Sequence, residues 1–382
     1  MALANRSAPL FLTAAACFAL AAILAEGGGP MLADRLRAAS RAPLGVAAAS
    51  FLALAAASLA WSPRPDLSLH ALGEFTLPLG AALLLAAALA GRMPRAAPLL
   101  LAAGMAASSA VILADLATEL WARHLLGLRA ASFIHNRPAL TLLVLLPALL
   151  ATLPPSAARS ATGRSGLAVA ALAALTILAS DSGAAALGLI CSSLAFAAAR
   201  FVPRLALGLA TGSLALSLLL APTLGEVAVR LAPSSLHQHL EGAHSAERVD
   251  VWRSFGAAVR EAPLIGAGFG VSPRLHETPV ADAVPPEHRT LLAVGHPHNA
   301  ALQIWVELGL VGAALALAVA LLVLKNLAAL PPERLAPALA LFAAVAAVSL
   351  VGHGAWQGWW PAAIGAAVVW LKAAGARRES AA

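Results

Sequence analysis

The chain has 382 residues, 60% of them hydrophobic and only 11% charged, with a formal net charge of +7. This composition excludes an ordinary soluble enzyme and describes a polytopic membrane protein. The positive balance does not call for nucleic acid, because the basic residues lie in short loops between apolar runs, where they report topology. Eleven apolar runs follow in order, near 9–25, 43–61, 72–90, 97–121, 138–153, 165–181, 183–200, 202–221, 298–324, 335–352 and 356–371. Several fall short of the roughly 20 residues that a straight span needs, which implies tilt or local thinning. The expected fold is therefore an all-α polytopic membrane protein of about 11 transmembrane helices with one large loop. Its expected parts are N-terminal membrane helices over 1–221, the loop with an amphipathic helix over 222–297, and C-terminal membrane helices over 298–382. The first run is kept as a helix, since no convincing small-residue cleavage site precedes the basic 35–41 loop. Cys17 and Cys191 both lie inside apolar runs, so neither a disulfide nor a metal site is expected from them.

The basic residues set the sides. Arg35, Arg37 and Arg41, Arg92 and Arg95, Arg159 and Arg164, Arg200 and Arg204, Lys325 and Arg334, then Lys372, Arg377 and Arg378 occupy alternate loops. By the positive-inside rule these face the cytoplasm. The other side receives 61–72, 122–137, the tight turn at 180–183, 222–297 and 353–355. All eleven histidines fall there too, although they played no part in the assignment.

The 222–297 loop is too long for a simple connector, and such loops are commonly functional. Six Arg, eight Asp or Glu and six His leave it nearly balanced in charge. Ser245 to Arg260 reads as an amphipathic helix capped by Ser245, with Val249, Trp252, Phe255 and Val259 on one face. Glu247, Asp250, Arg253 and Glu261 take the other face. Arg248 falls inside the apolar face and in the first turn, where a cation opposes the helix dipole. An anion meeting it would account for that position; the alternative is a stem snorkelling along the membrane surface. The glycines of Gly266-Ala267-Gly268-Phe269-Gly270 follow no strand and open no helix, so they are read as a flexible turn and not as a dinucleotide fingerprint.

At the end of the loop His296-Pro297-His298-Asn299 runs directly into an apolar stretch. A helix is expected to start near His298, with Pro297 tolerated at its first turn. Gly309 and Gly312 lie one turn apart, a spacing that admits a close neighbouring backbone. His135-Asn136-Arg137-Pro138 forms a second polar mouth, with Arg137 a candidate cation and Arg129 a weaker one. The pairs His237-Gln238-His239 and His296-Pro297-His298 lack the cysteine or carboxylate that would make a zinc site persuasive, so no metal is expected. Glu307 reads as a packing or hydrogen-bonding group, not an acid catalyst.

His298-Asn299, nine residues, Gly309, two residues, Gly312 resembles the signature of the bacterial O-antigen ligase and polymerase superfamily. The resemblance extends through Arg248, Trp252, Pro263, Gly266 and Gly268, across roughly 245–315, and is diffuse elsewhere. Many members have Ser-Arg where this chain has Ser182-Gly183, so part of the family's anion site is missing here. Members usually have twelve spans with both ends inside, whereas eleven spans put this N-terminus outside. The resemblance implies an inner-membrane glycosyltransferase, without cofactor or metal, facing the periplasm. It would move a glycan from an undecaprenyl-diphosphate donor to a hydroxyl of lipid A-core. His298 would be the base, with Arg248 and Arg137 on the diphosphate. Asn299 would orient the imidazole or a sugar hydroxyl, and Trp252, Arg253 and His296 would complete the substrate site. A polymerase using the same donor and a membrane transporter are the alternatives. A transporter should carry ionisable groups near midplane, and only Asp115 lies well inside a run.

Overall fold

The computed structural model describes residues 4, 6–89, 93–94, 96–153, 159–231 and 245–379. No strand occurs among them. Among the described residues, ten segments are long and apolar enough to cross a membrane. They are built from α1 (Ala8–Ala25), α3 (Pro43–Ala57), α4 (Pro65–Ala88), α5 (Ala97–Ala117), α7 (Asn136–Thr152), α8 (Ala161–Ala179), α9 (Gly183–Phe201), α10 (Pro203–Leu220), α13 (Ala300–Ala328) and α14 (Pro332–Val351). The eleventh expected run is also helical, as α15 (Trp359–Glu379), which packs on α7 and α4. Shorter helices α2 (Gly29–Arg41), α6 (Trp121–Leu125), α11 (Leu224–Leu231) and α12 (Ser245–Glu261) complete the set used below.

Two expected boundaries change. The basic 35–41 stretch is not a loop but the end of α2, an amphipathic helix with Leu32 as its buried residue. Its high charge hides it from a hydropathy reading. The third span begins at Pro65, seven residues ahead of the expected start, and carries Asp66, His70 and Glu74 on its outer turns. Proline at the first turn and an acidic residue beside it suit a helix N-terminus.

The main core lies between the membrane helices. Leu140, Leu143, Val144 and Leu149 of α7 meet Ile112 of α5, Ile177 of α8, Leu189 of α9 and Val348 of α14. α7 is the most enclosed of these spans. A second core lies under the outer loop. There Val251, Phe255, Ala258 and Val259 of α12 pack with Leu275, Leu292, Leu302 and Val306. The apolar face expected for this helix is thus the face it buries. The Ser245 side chain and the His237-Gln238-His239 pair lie outside the described residues.

α13 has 29 residues, or about 43 Å at 1.5 Å per residue, against a hydrocarbon core of about 30 Å. The excess is taken up at its start, which is buried in protein. Gly309, at φ 61° and ψ −159°, breaks the helix. The glycine-rich segment enters that break. Ala267 N donates to Val306 O (2.9 Å) and Gly268 N to Glu307 O (2.8 Å). Leu310 N then donates to Pro263 O (2.8 Å), and Val311 N to Leu264 O (3.2 Å). The backbone groups freed by the break therefore find partners in the loop, as they must where water is scarce. This corrects one expectation and gives content to another. The segment is not a flexible turn, and the close neighbouring backbone expected at Gly309 is that of this loop. A Cβ at Gly309 would stand 2.4 Å from Leu264 C, and one at Gly266 would stand 2.3 Å from Glu307 C.

Candidate functional site

The chain reverses into α13 through two unusual residues. Gly295 has φ 96°, which glycine adopts freely, but His298 has φ 51°. A left-handed conformation is uncommon outside glycine and carries a cost, so its presence at a polar helix mouth is a pointer to function. Asn299 then caps α13, its Oδ1 accepting from Leu302 N at 2.9 Å. Asn299 is 3% exposed, and its amide oxygen is committed to the helix cap.

The imidazole is oriented by the end of α14. His298 Nδ1 lies 2.7 Å from Gly352 O. A carbonyl only accepts, so Nδ1 must carry the proton and Nε2 the lone pair. His296 stacks beside it, ring centroids 4.2 Å apart, and its Nδ1 accepts from His298 N at 3.3 Å. Burial drives the pKa of His296 down to about 3, with the positive potentials of His298 and His353 adding to the effect. The His298 pKa is also lowered by burial, partly opposed by the bond to Gly352, and further lowered by the charge of Arg248.

α12 supplies the other side. Arg248 is half-buried, and burial pulls its guanidinium below the ordinary value. One turn on, Trp252 Nε1 donates to Pro297 O at 3.0 Å, tying α12 to the His-Pro-His turn. Arg253 points elsewhere, to Glu226 of α11 at 3.4 Å and Asp250 at 3.8 Å. It is held in an ion-pair network with these two carboxylates. Residues 168–317, which contain all of these groups except Gly352 and His353, match the O-antigen ligase family model. That segment is similar to the O-antigen ligase family.

Two relatives agree. A candidate polysaccharide ligase of Rickettsia bellii is 30% identical over 191 residues, covering 47% of this chain and 44% of the relative. Another, of Rickettsia prowazekii, is 28% identical over 185 residues, covering 47% and 45%. The match thus spans a little under half of each relative's length.

Outside the ligase segment, the start of α7 and the turn after α14 close the site. Arg137 lies over the Trp359 ring, 5.5 Å from its centroid, and reaches Gln357 Oε1 at 3.4 Å. His353 packs on Trp359 and Trp360, at 4.6 and 5.1 Å between centroids. Burial lowers the His353 pKa to about 4, and the nearby Arg137 and His298 contribute. A cavity of about 820 Å³ opens beside Arg137, with Arg6, Asp66, His70, Glu74, Gln357 and Trp359 among its walls.

The structure therefore brings His298, His296, Arg248, Trp252 and Arg137 to one mouth, formed by α7, α12, α13 and the turn after α14. Arg129 stays at the rim, stacked on Phe133 at 4.9 Å. A side chain at Gly183 would meet open space, so nothing replaces the family's arginine there directly. Sequence reasoning missed His353 and Gln357. The concentration of histidine on one side was the available signal for the first. Among the described residues no group of three or more His, Cys, Asp or Glu is arranged to hold a metal ion.

Proposed function

We propose that this protein is an O-antigen ligase-type glycosyltransferase of the bacterial inner membrane. It takes a glycan from undecaprenyl diphosphate at the periplasmic face and joins it to a hydroxyl of lipid A-core, without a metal or cofactor. The observation that carries this reading is the His298 Nδ1–Gly352 contact of 2.7 Å, which leaves Nε2 as the basic nitrogen within the ligase-family segment.

The chemistry balances as follows. The acceptor hydroxyl oxygen attacks sugar C1, and its proton passes to His298 Nε2. The bond from C1 to the diphosphate oxygen breaks, and the polyprenyl diphosphate leaves with that electron pair. Arg248 and Arg137 stabilise the charge that develops on the leaving group, for which a guanidinium fork is well matched. A neutral imidazole is needed at the start, and the lowered pKa of His298 provides it.

Deletion in the source strain tests the assignment. Gels of the lipopolysaccharide should show lipid A-core free of polymer, while lipid-linked polymer accumulates. Core capped by a single repeat unit would instead mean a polymerase, and unchanged lipopolysaccharide would remove the O-antigen assignment.

A further inference from the structure

Glu307 is fully buried two residues before the α13 break, and the transfer chemistry above does not use it. Its carboxylate collects five hydrogen bonds from three parts of the chain. Oε1 accepts from Gln303 Nε2 (2.9 Å), Ser272 N (3.3 Å) and Ser272 Oγ (2.5 Å). Oε2 accepts from Gly270 N and Trp356 Nε1, both at 2.5 Å. Four of the five donors are N–H groups, which cannot reverse their role, so both oxygens must accept. Gln303 extends the network, its Oε1 accepting from Ala355 N at 2.9 Å.

The bonds from Trp356 and Ala355 hold the turn after α14. That turn carries Gly352 O, which orients His298, and Gln357, which meets Arg137. Trp356 is also packed against Phe269 and Phe75, at 4.4 and 5.0 Å between centroids. The packing sets where the indole lies, while the bond to Glu307 sets its rotation and the height of the turn.

We infer that Glu307 is a positioning residue. It clamps the 352–357 turn to the broken helix and so fixes the base, His298, relative to the cation Arg137. The inference rests on the transferase reading for its catalytic consequence, but the clamp itself is a structural property.

Glu307→Gln is the direct test, because it keeps the size and changes the chemistry. Whichever way the amide turns, its NH2 faces two N–H donors. The clamp should open, and histidine reactivity reports this independently of activity. Diethyl pyrocarbonate labelling, mapped by mass spectrometry, should be several-fold faster at His298 and His353 in the variant. His288, which packs near Ser254 of α12, is the internal control and should not change. With a labelled polyprenyl-diphosphate glycan as donor, kcat should fall about 100-fold, the scale of a small misplacement of reacting groups. KM for that donor should stay within about threefold.

Faster labelling at His298 and His353 in Glu307→Gln, together with no glycan transfer by the wild type, would support the clamp and overturn the transferase reading instead. Unchanged labelling and unchanged kcat would overturn the clamp. If Glu307→Gln also exposes His288, the fold has been lost, and Trp356→Phe takes its place. That variant removes one donor, keeps the carboxylate and should give the same pattern at smaller scale. Normal His298 labelling and kcat in Trp356→Phe, with His288 protected, would equally overturn the inference.

Discussion

His298 is the residue on which the chemistry turns, and its protonation sets the pH dependence. The neutral form is the base, and its folded pKa lies below the ordinary 6.5. Activity should therefore hold as pH falls through 6.5, and the acidic limb of kcat/KM should have its midpoint below that value. A midpoint above 6.5 would contradict the buried environment described here. Stability follows a related sign. His296 and His353 titrate at about 3 and about 4 when folded, against 6.5 as the ordinary value. Between those limits the unfolded chain binds more protons, so stability is full above pH 6.5 and declines as pH drops toward 4. The slope is on the order of 1 kcal/mol per pH unit for each imidazole. Thermal melts at pH 7.5, 5.5 and 4.5 should show the decline, and His353→Gln should reduce it.

Arg248 makes a sharper claim at the same scale. It is half-buried on the apolar face of α12 and within electrostatic reach of His298. Arg248→Ala should abolish transfer at normal protein levels. Lysine should restore only part, since it offers a point charge where the diphosphate wants a fork. Full activity in the alanine variant would reduce Arg248 to a snorkelling side chain. Its place on the apolar face was legible in sequence because a lone cation interrupts an apolar stripe. Glu307 was legible as a hydrogen-bonding group but its partners were not, since four of its donors come from residues 35 to 49 positions away. No local pattern records such partners.

Among the elements, α13 departs furthest from its sequence expectation. The apolar run and the Gly309–Gly312 spacing were visible, but both fit a straight helix as well as a broken one. What decides is the loop that enters at Gly309, a tertiary partner with no periodicity of its own. Gly309→Ala should destabilise the protein by roughly 2–4 kcal/mol, because the conformation is open mainly to glycine and the new methyl meets backbone. Chemical denaturation in detergent would measure it, and a loss below about 1 kcal/mol would mean that the break relaxes easily. α2 and the start of α4 show the converse failure. Their charged or polar residues, Arg35 to Arg41 and Asp66 to His70, interrupt hydropathy, so real helical turns were read as loops.

At the scale of the molecule, sidedness is the test. The arginine distribution places the starts of α7 and α13 and the end of α14 on one face. The structure brings those three ends together, around Arg137, His298 and Gly352. Alkaline phosphatase fused at Gln238 should then be active, and a cytoplasm-active reporter there should be silent. The opposite result would turn the site away from any periplasmic donor.

The most direct measurement is glycan transfer by the purified protein in lipid. It would be supplied with a labelled undecaprenyl-diphosphate saccharide and lipid A-core, and compared with His298→Ala. The wild type should join label to core and release undecaprenyl diphosphate. The variant should bind the same donor yet transfer at least about 100-fold more slowly, as loss of a general base requires. Equal transfer by the two proteins, or none by the wild type, would contradict the account.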